Sequence, residues 1–175
     1  IRSPLQYWAP WRLEGGDGAV AATLGLSDVG KQVDDLLSPQ RLLDILQHFS
    51  LFTSNKRKQR IKMMCRFQQY EGANKIVERV IAGKIKKGLI WHFQGSGKSL
   101  LMVFAAQKLR KSTDLKSPTV IILVDRTDLD TQISSTFNAA DVPNVVTTDS
   151  IKELQSLLEH DTRKIIISMI YKFRD

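Results

Sequence analysis

The run His92-Phe93-Gln94-Gly95-Ser96-Gly97-Lys98-Ser99 carries the clearest chemistry in the sequence. Two glycines one residue apart let a backbone turn tightly, so that successive N–H groups aim at one anion. A helix starting at the lysine adds its positive dipole end. Lys98 supplies a point charge for the β- and γ-phosphates of a nucleotide, and the Ser99 hydroxyl is a ligand for Mg²⁺. Catalytic weight falls on Lys98 and Ser99, and phosphate binding on Gln94, Gly95, Ser96, Gly97, Lys98 and Ser99. The phosphate-loop consensus has glycine at its first position, where this chain has His92. A packed or hydrogen-bonded histidine is the plainer reading of that residue.

Such a loop works only between a strand and a helix. Leu89–Phe93 is a short apolar run that predicts the strand, and Lys98–Arg110 has the apolar spacing of the helix. Phe93 and Met102 read as core residues. Downstream, Thr119–Val124 predicts a fully buried strand, Asp128–Phe137 a helix, and Asn144–Thr147 a weak strand. Ser150–Glu159 predicts a helix capped by Ser150, and Arg163–Ile170 another buried strand. Apolar strands alternating with helices imply an α/β fold, a parallel sheet with helices on both faces. Upstream, Ser38-Pro39 is a good helix start, and the leucine pattern carries that helix to about Phe52. Residues 66–82 predict a second helix with Ala73, Ile76, Val77, Val80 and Ile81 as its apolar stripe.

Residues 1–37 are poorly patterned and read as a linker, with Trp8 and Trp11 as packing anchors. Net charge is +8, with an isoelectric point near 9.7. A basic balance favours polyanion partners. Lys56, Arg57, Lys58, Arg60, Lys62 and Arg66 form a basic cluster, read either as a solvated loop and helix face or as a contact to DNA backbone or nucleotide phosphate. The single cysteine, Cys65, fits a reducing cytoplasm and reads as a small buried residue. No apolar run is long enough to span a membrane, and the first residues have no signal-peptide pattern. The chain starts without Met and reads as part of a longer one.

Four ordered blocks resemble the R subunit of type I restriction enzymes, a superfamily 2 helicase-type translocase. Gly88–Ala105 is similar to its first helicase motif, and Val124–Ile133, VDRTDLDTQI, to its motif Ia, which contacts DNA backbone. Arg66–Lys75, RFQQYEGANK, resembles its adenine-recognition motif, and Ile165–Phe173, IIISMIYKF, its TTxxKF block near the DNA. The resemblance implies a P-loop NTPase (RecA-like) domain that binds ATP with Mg²⁺, with Ser99 on the metal. Gln69 would hydrogen-bond the adenine edge, with Arg66 or Phe67 flanking the base. Asp125, Arg126, Thr127, Gln132, Ser168 and Lys172 would contact DNA. Ser168-Met169 stands where the family carries two threonines.

Implied partners are double-stranded DNA and the modification and specificity subunits, in the cytoplasm. The implied division is an upstream junction over 1–37, a helical segment with the adenine motif over 38–87, and a partial RecA-like domain over 88–175. The family's DEAH-type box would follow residue 175, and its nuclease domain would precede residue 1. On that basis the fragment should bind nucleotide weakly and turn ATP over slowly or not at all. Plainer readings remain for Asp125 and Asp128, as a helix N-terminal charge and a cap, and for Gln132, as a surface residue. The competing functions are another superfamily 2 helicase or remodeller, a P-loop kinase or small ATPase, and a non-catalytic DNA-binding scaffold.

Overall fold

The computed structural model describes residues 11, 26–54, 60–125, 127–140, 142–148 and 150–173. In chain order the elements are α1 (Leu26–Leu36), α2 (Pro39–His48), β1 (Ser50–Ser54), β2 (Arg60–Met64), α3 (Phe67–Ala82), α4 (Lys98–Lys111), β3 (Val120–Val124), α5 (Thr127–Ala139), β4 (Val145–Thr147), α6 (Ile151–Glu159) and β5 (Ile165–Met169), followed by a 3-10 turn over Ile170–Phe173. The fold is α/β. Strands β3, β5 and β4 form a parallel sheet in that order, with Ile122 beside Ile167 and Val146 beside Ile166. All five residues of β5 are buried, as a central strand covered on both faces requires. No described helix is long and apolar enough to cross a membrane.

Helices α3 and α4 make the largest helix–helix contact. Gly72 permits it, because a Cβ there would lie 2.7 Å from Leu101 Cδ1. Phe49, Phe104, Phe137, Val103, Ile165 and Ile167 then fill one core between the helices and the sheet. A charged cluster ties the upstream helices to this body. Lys108 of α4 donates to both carboxylate oxygens of Asp44 in α2, at 2.6 and 2.7 Å, and to Asn74 Oδ1 of α3 at 2.7 Å. Trp11 does pack as an anchor. Its ring meets Phe67 edge-on at 5.3 Å, and its indole N–H donates to Asp35 at 3.0 Å. Trp8 lies outside the described residues.

Several elements differ from expectation. Helix α2 stops at His48, not Phe52. The Ser50 hydroxyl takes the Ile45 carbonyl at 3.2 Å, and the chain turns into β1. Strand β1 pairs antiparallel with β2, so part of the basic cluster lies on a hairpin. A period-two alternation, Arg60 and Lys62 against Ile61 and Met63, was the available signal. Residues 26–36, read as linker, are helical. Residues 89–93 are not a strand. A strand needs a neighbour's backbone to bond, and among the described residues none pairs with this segment; Leu89 and Trp91 are each 88% exposed. Phe93 goes with them into solvent instead of the core. Met102 lies on the outer side of α4 and is exposed too. Strand β3 is buried on one face only. Ile122 and Val124 point into the core, whereas Ile121 and Leu123 are exposed because no described element covers that side.

Candidate phosphate-binding site

The phosphate loop turns at two left-handed corners, Gly95 at φ +80° and Gly97 at φ +83°. Side chains rarely adopt this region, so the glycines set the loop's path. Ser96 N donates to the Phe93 carbonyl at 3.3 Å and tightens the turn. Gly97 is the N-cap of α4, and its carbonyl accepts from Leu101 N at 3.1 Å. The first amides of α4 therefore face the loop without intrahelical partners. Lys98 is exposed, and its ammonium donates to the His92 and Phe93 carbonyls at 3.2 and 3.1 Å. The ammonium thus folds back over the loop it would serve. Ser99 is half-buried and Gln94 exposed. Ser96 is fully buried, and its hydroxyl has no hydrogen-bond partner.

Gln69 is built into the loop from behind. The side chain is 2% exposed. Its amide oxygen accepts from Arg66 N at 2.8 Å, which satisfies the first turn of α3. Its amide nitrogen donates to the Gly97 carbonyl at 3.2 Å and the Ser96 carbonyl at 3.4 Å. The contact is so close that a Cβ on Gly97 would sit 2.3 Å from that nitrogen. Residues 27 and 28 positions apart are joined, a link that sequence spacing does not reveal. Arg66 caps α3 half-buried, and Phe67 is buried against Trp11. Next along, burial and then Asp44 push the Tyr70 hydroxyl above its ordinary pKa.

In front of the loop lies a cleft of about 380 Å³, lined by Gly97 and Ser99, by Thr53 and Met63 of the hairpin, and by Ser135 and Thr136 of α5. The hairpin residues were not foreseen here. Among the described residues no three His, Cys, Asp or Glu side chains come together as a metal cluster. Ser99, the metal ligand expected from the sequence, lines this cleft.

Of the remaining expected site residues, Asp125 and Ser168 lie at the C-terminal ends of β3 and β5, and Lys172 in the turn that follows β5. Asp125 is exposed just past β3. Arg126 and the side chains of Thr127 and Gln132 lie outside the described residues. Ser168 is buried at the end of β5, where its hydroxyl accepts from Thr148 Oγ1 at 2.9 Å. Lys172 is buried as well, and its ammonium donates to the Thr148 carbonyl. Both side chains hold the segment after β4, and neither is displayed on the surface. Thr148 itself gave no sequence signal.

A family model described as SWI2/SNF2 ATPase matches residues 68–175, and so takes in the phosphate loop and the whole parallel sheet. The chain belongs to the SWI2/SNF2 ATPase family. The family implies use of ATP, and the α/β sheet with its loop-to-helix turn is consistent with a RecA-like ATPase fold. Among curated proteins, this SWI2/SNF2 chain is similar to the type I restriction enzyme HindI endonuclease subunit of Haemophilus influenzae, at 33% identity over 79% of the chain and 14% of that protein. It is also similar to the putative type I restriction enzyme MjaVIIIP endonuclease subunit of Methanocaldococcus jannaschii, at 33% identity over 71% of the chain and 13% of that protein. A third relative, the SsaAORF53P subunit of Staphylococcus saprophyticus, is 39% identical over 49% of the chain and 9% of that protein. The chain therefore spans about a seventh of the first relative's length.

Proposed function

We propose that this chain is the nucleotide-binding part of the motor in a type I restriction R subunit, which uses ATP to pump double-stranded DNA and to cut it. The observation that carries the reading is the phosphate loop. It has two left-handed glycines, free amides at the start of α4, and a lysine and a serine as the next two residues. The names of the similar proteins support the restriction setting.

The residues present suit a nucleotide's triphosphate. The amides around Gly95–Gly97 would take phosphate oxygens, with the dipole of α4 behind them. Lys98 would leave its two carbonyls for the β- and γ-phosphates. Ser99 would give one oxygen to Mg²⁺, the rest coming from phosphates and water. The buried Ser96 hydroxyl is a spare donor at the same turn. Gln69 has two roles in this reading. Its amide nitrogen holds the loop through the Ser96 and Gly97 carbonyls, while the second lone pair of its amide oxygen is what the amino group of an adenine edge would use. Nucleotide binding would thereby be felt at the start of α3. Arg66 would flank the base.

DNA backbone contact is assigned to the segment after β3, through Asp125, Arg126, Thr127 and Gln132. Ser168 and Lys172 would act on DNA through the Thr148 segment that they hold. Modification and specificity subunits are the proposed partners and the cytoplasm the proposed location.

The test is Lys98→Ala in the complete subunit, read by DNA-stimulated ATP hydrolysis and by translocation. The side chain is exposed, so the melting temperature should hold. Hydrolysis should fall by at least about a hundredfold, the scale of losing one charge-stabilising group. Wild-type turnover in that variant would remove the loop from the reaction.

A further inference from the structure

The β1–β2 hairpin has two unlike faces. Its register sets Leu51 against Met63 and Thr53 against Ile61, and these residues face the body of the protein, where Leu51 is buried and Thr53 and Met63 line the cleft. Phe52 against Lys62, flanked by Arg60 and Met64, makes the opposite face. Phe52 is 44% exposed and Met64 50%, and both cations are exposed. The Arg60 guanidinium sits over the Phe52 ring at 4.3 Å, which holds a planar, permanently charged fork toward solvent. Between Asp44 and Glu71 the sequence has no carboxylate, while it has Lys56, Arg57, Lys58, Arg60, Lys62 and Arg66. The hairpin thus brings the positive charge of Arg60 and Lys62 to its outer face.

We infer that this outer face docks on the sugar-phosphate backbone of duplex DNA, as a contact separate from the segment after β3. The inference rests on the translocase reading for its choice of polyanion. Guanidinium and ammonium groups flanking an aromatic ring suit phosphates along a strand, and such contacts carry no sequence information. A motor that moves along DNA needs contacts of that kind. The inner face of the same hairpin borders the phosphate loop through Thr53 and Met63. Backbone contact on one side and nucleotide on the other would therefore meet across a two-stranded ribbon.

The experiment is equilibrium binding of a fluorescent 30-base-pair duplex to the complete subunit over a range of salt, without nucleotide. Wild type is compared with Arg60→Gln/Lys62→Gln and with Arg60→Gln alone. Each phosphate contact contributes about 0.9 to the slope of log affinity against log salt. The double variant should therefore lose about 1.8 of slope and bind about ten- to a hundredfold more weakly at low salt, and the single variant about half of that slope. ATP binding that is still abolished by Lys98→Ala shows that the hairpin variants remain folded. Unchanged slope and affinity in both variants would overturn the inference. So would unchanged DNA binding accompanied by lost assembly with other subunits, which would make the face a protein contact. The translocase reading fails by a different result, wild-type turnover in Lys98→Ala, so the two failures are distinguishable.

Discussion

Replacing Gly97 by alanine tests the link between Gln69 and the phosphate loop. The new methyl would meet the Gln69 amide nitrogen at 2.3 Å and its carbonyl carbon at 3.5 Å. Real contacts to Cβ do not go below about 3.0 Å, so the amide must leave. Its departure removes the bonds to the Ser96 and Gly97 carbonyls and to Arg66 N, at about 1 kcal/mol for each bond lost outright. The left-handed backbone adds about 1–2 kcal/mol for any residue with a Cβ. Gly97→Ala should thus destabilise the chain by about 4–5 kcal/mol. Gln69→Ala alone loses the bonds but creates no clash. In the double variant the clash is gone, and position 97 adds only its backbone cost to the bonds already lost with Gln69. The two changes should then be less than additive, by about 3 kcal/mol, the bond loss that both single variants share. Urea denaturation of the four chains measures this, with equal slopes required for the comparison. Additivity within about 0.5 kcal/mol would refute the packing of Gln69 against Gly97. A cost-free Gly97→Ala would refute the left-handed corner as well.

Asp44→Ala should destabilise the chain by about 1–3 kcal/mol, because it leaves the Lys108 ammonium, 20% exposed, with the Asn74 amide oxygen in place of a carboxylate. Asp44→Asn should recover part of that loss in the same denaturation assay, and equal loss in both variants would argue against a charge-assisted bond. His48 titrates below its ordinary value, chiefly because burial disfavours its charged form and then because Lys108 is near. The folded chain therefore binds this proton less readily than the unfolded one. The resulting stability is present above pH 6.5 and is lost as pH falls through the lowered value. A His48→Gln variant should lose less stability than wild type between pH 7 and about 5, and parallel pH profiles would exclude His48 as a source of the slope.

The phosphate loop and its helix were legible because their chemistry is local. Glycines at fixed offsets and a following apolar stripe need nothing from the rest of the chain. Helix α6 with its Ser150 cap was legible for the same reason, and Ser150 Oγ does accept from Glu153 N at 3.2 Å. Strand β5 was legible because three isoleucines in succession suit a strand buried on both sides. The failures lie where partners decide. Residues 89–93 are as apolar as a strand, but with no described strand beside them they stay irregular and largely exposed. The hairpin was hidden by Phe49, Leu51 and Phe52, which continue α2's apolar run past its end, and by Arg60 and Lys62, which read as part of a basic cluster before they read as the polar side of β2. In the site, the loop's glycines were readable, but the hold of Gln69 on Gly97 was not. The buried states of Ser168 and Lys172 depend on Thr148, a residue with no motif of its own.

Cys65 joins the end of β2 to the start of α3, and its N–H donates to the Phe49 carbonyl at 3.0 Å. Burial pushes its thiol up to about 12. At pH 7 its thiolate fraction in the closed chain is then far below that of a free thiol. Because alkylating reagents attack the thiolate, labelling would proceed almost wholly through moments when this junction opens. The sequence has no other cysteine, so the labelling rate of the unaltered chain is a clock for that opening. A ligand that stiffens the phosphate loop through Gln69 and α3 would slow the clock, although the reagent and the ligand never meet.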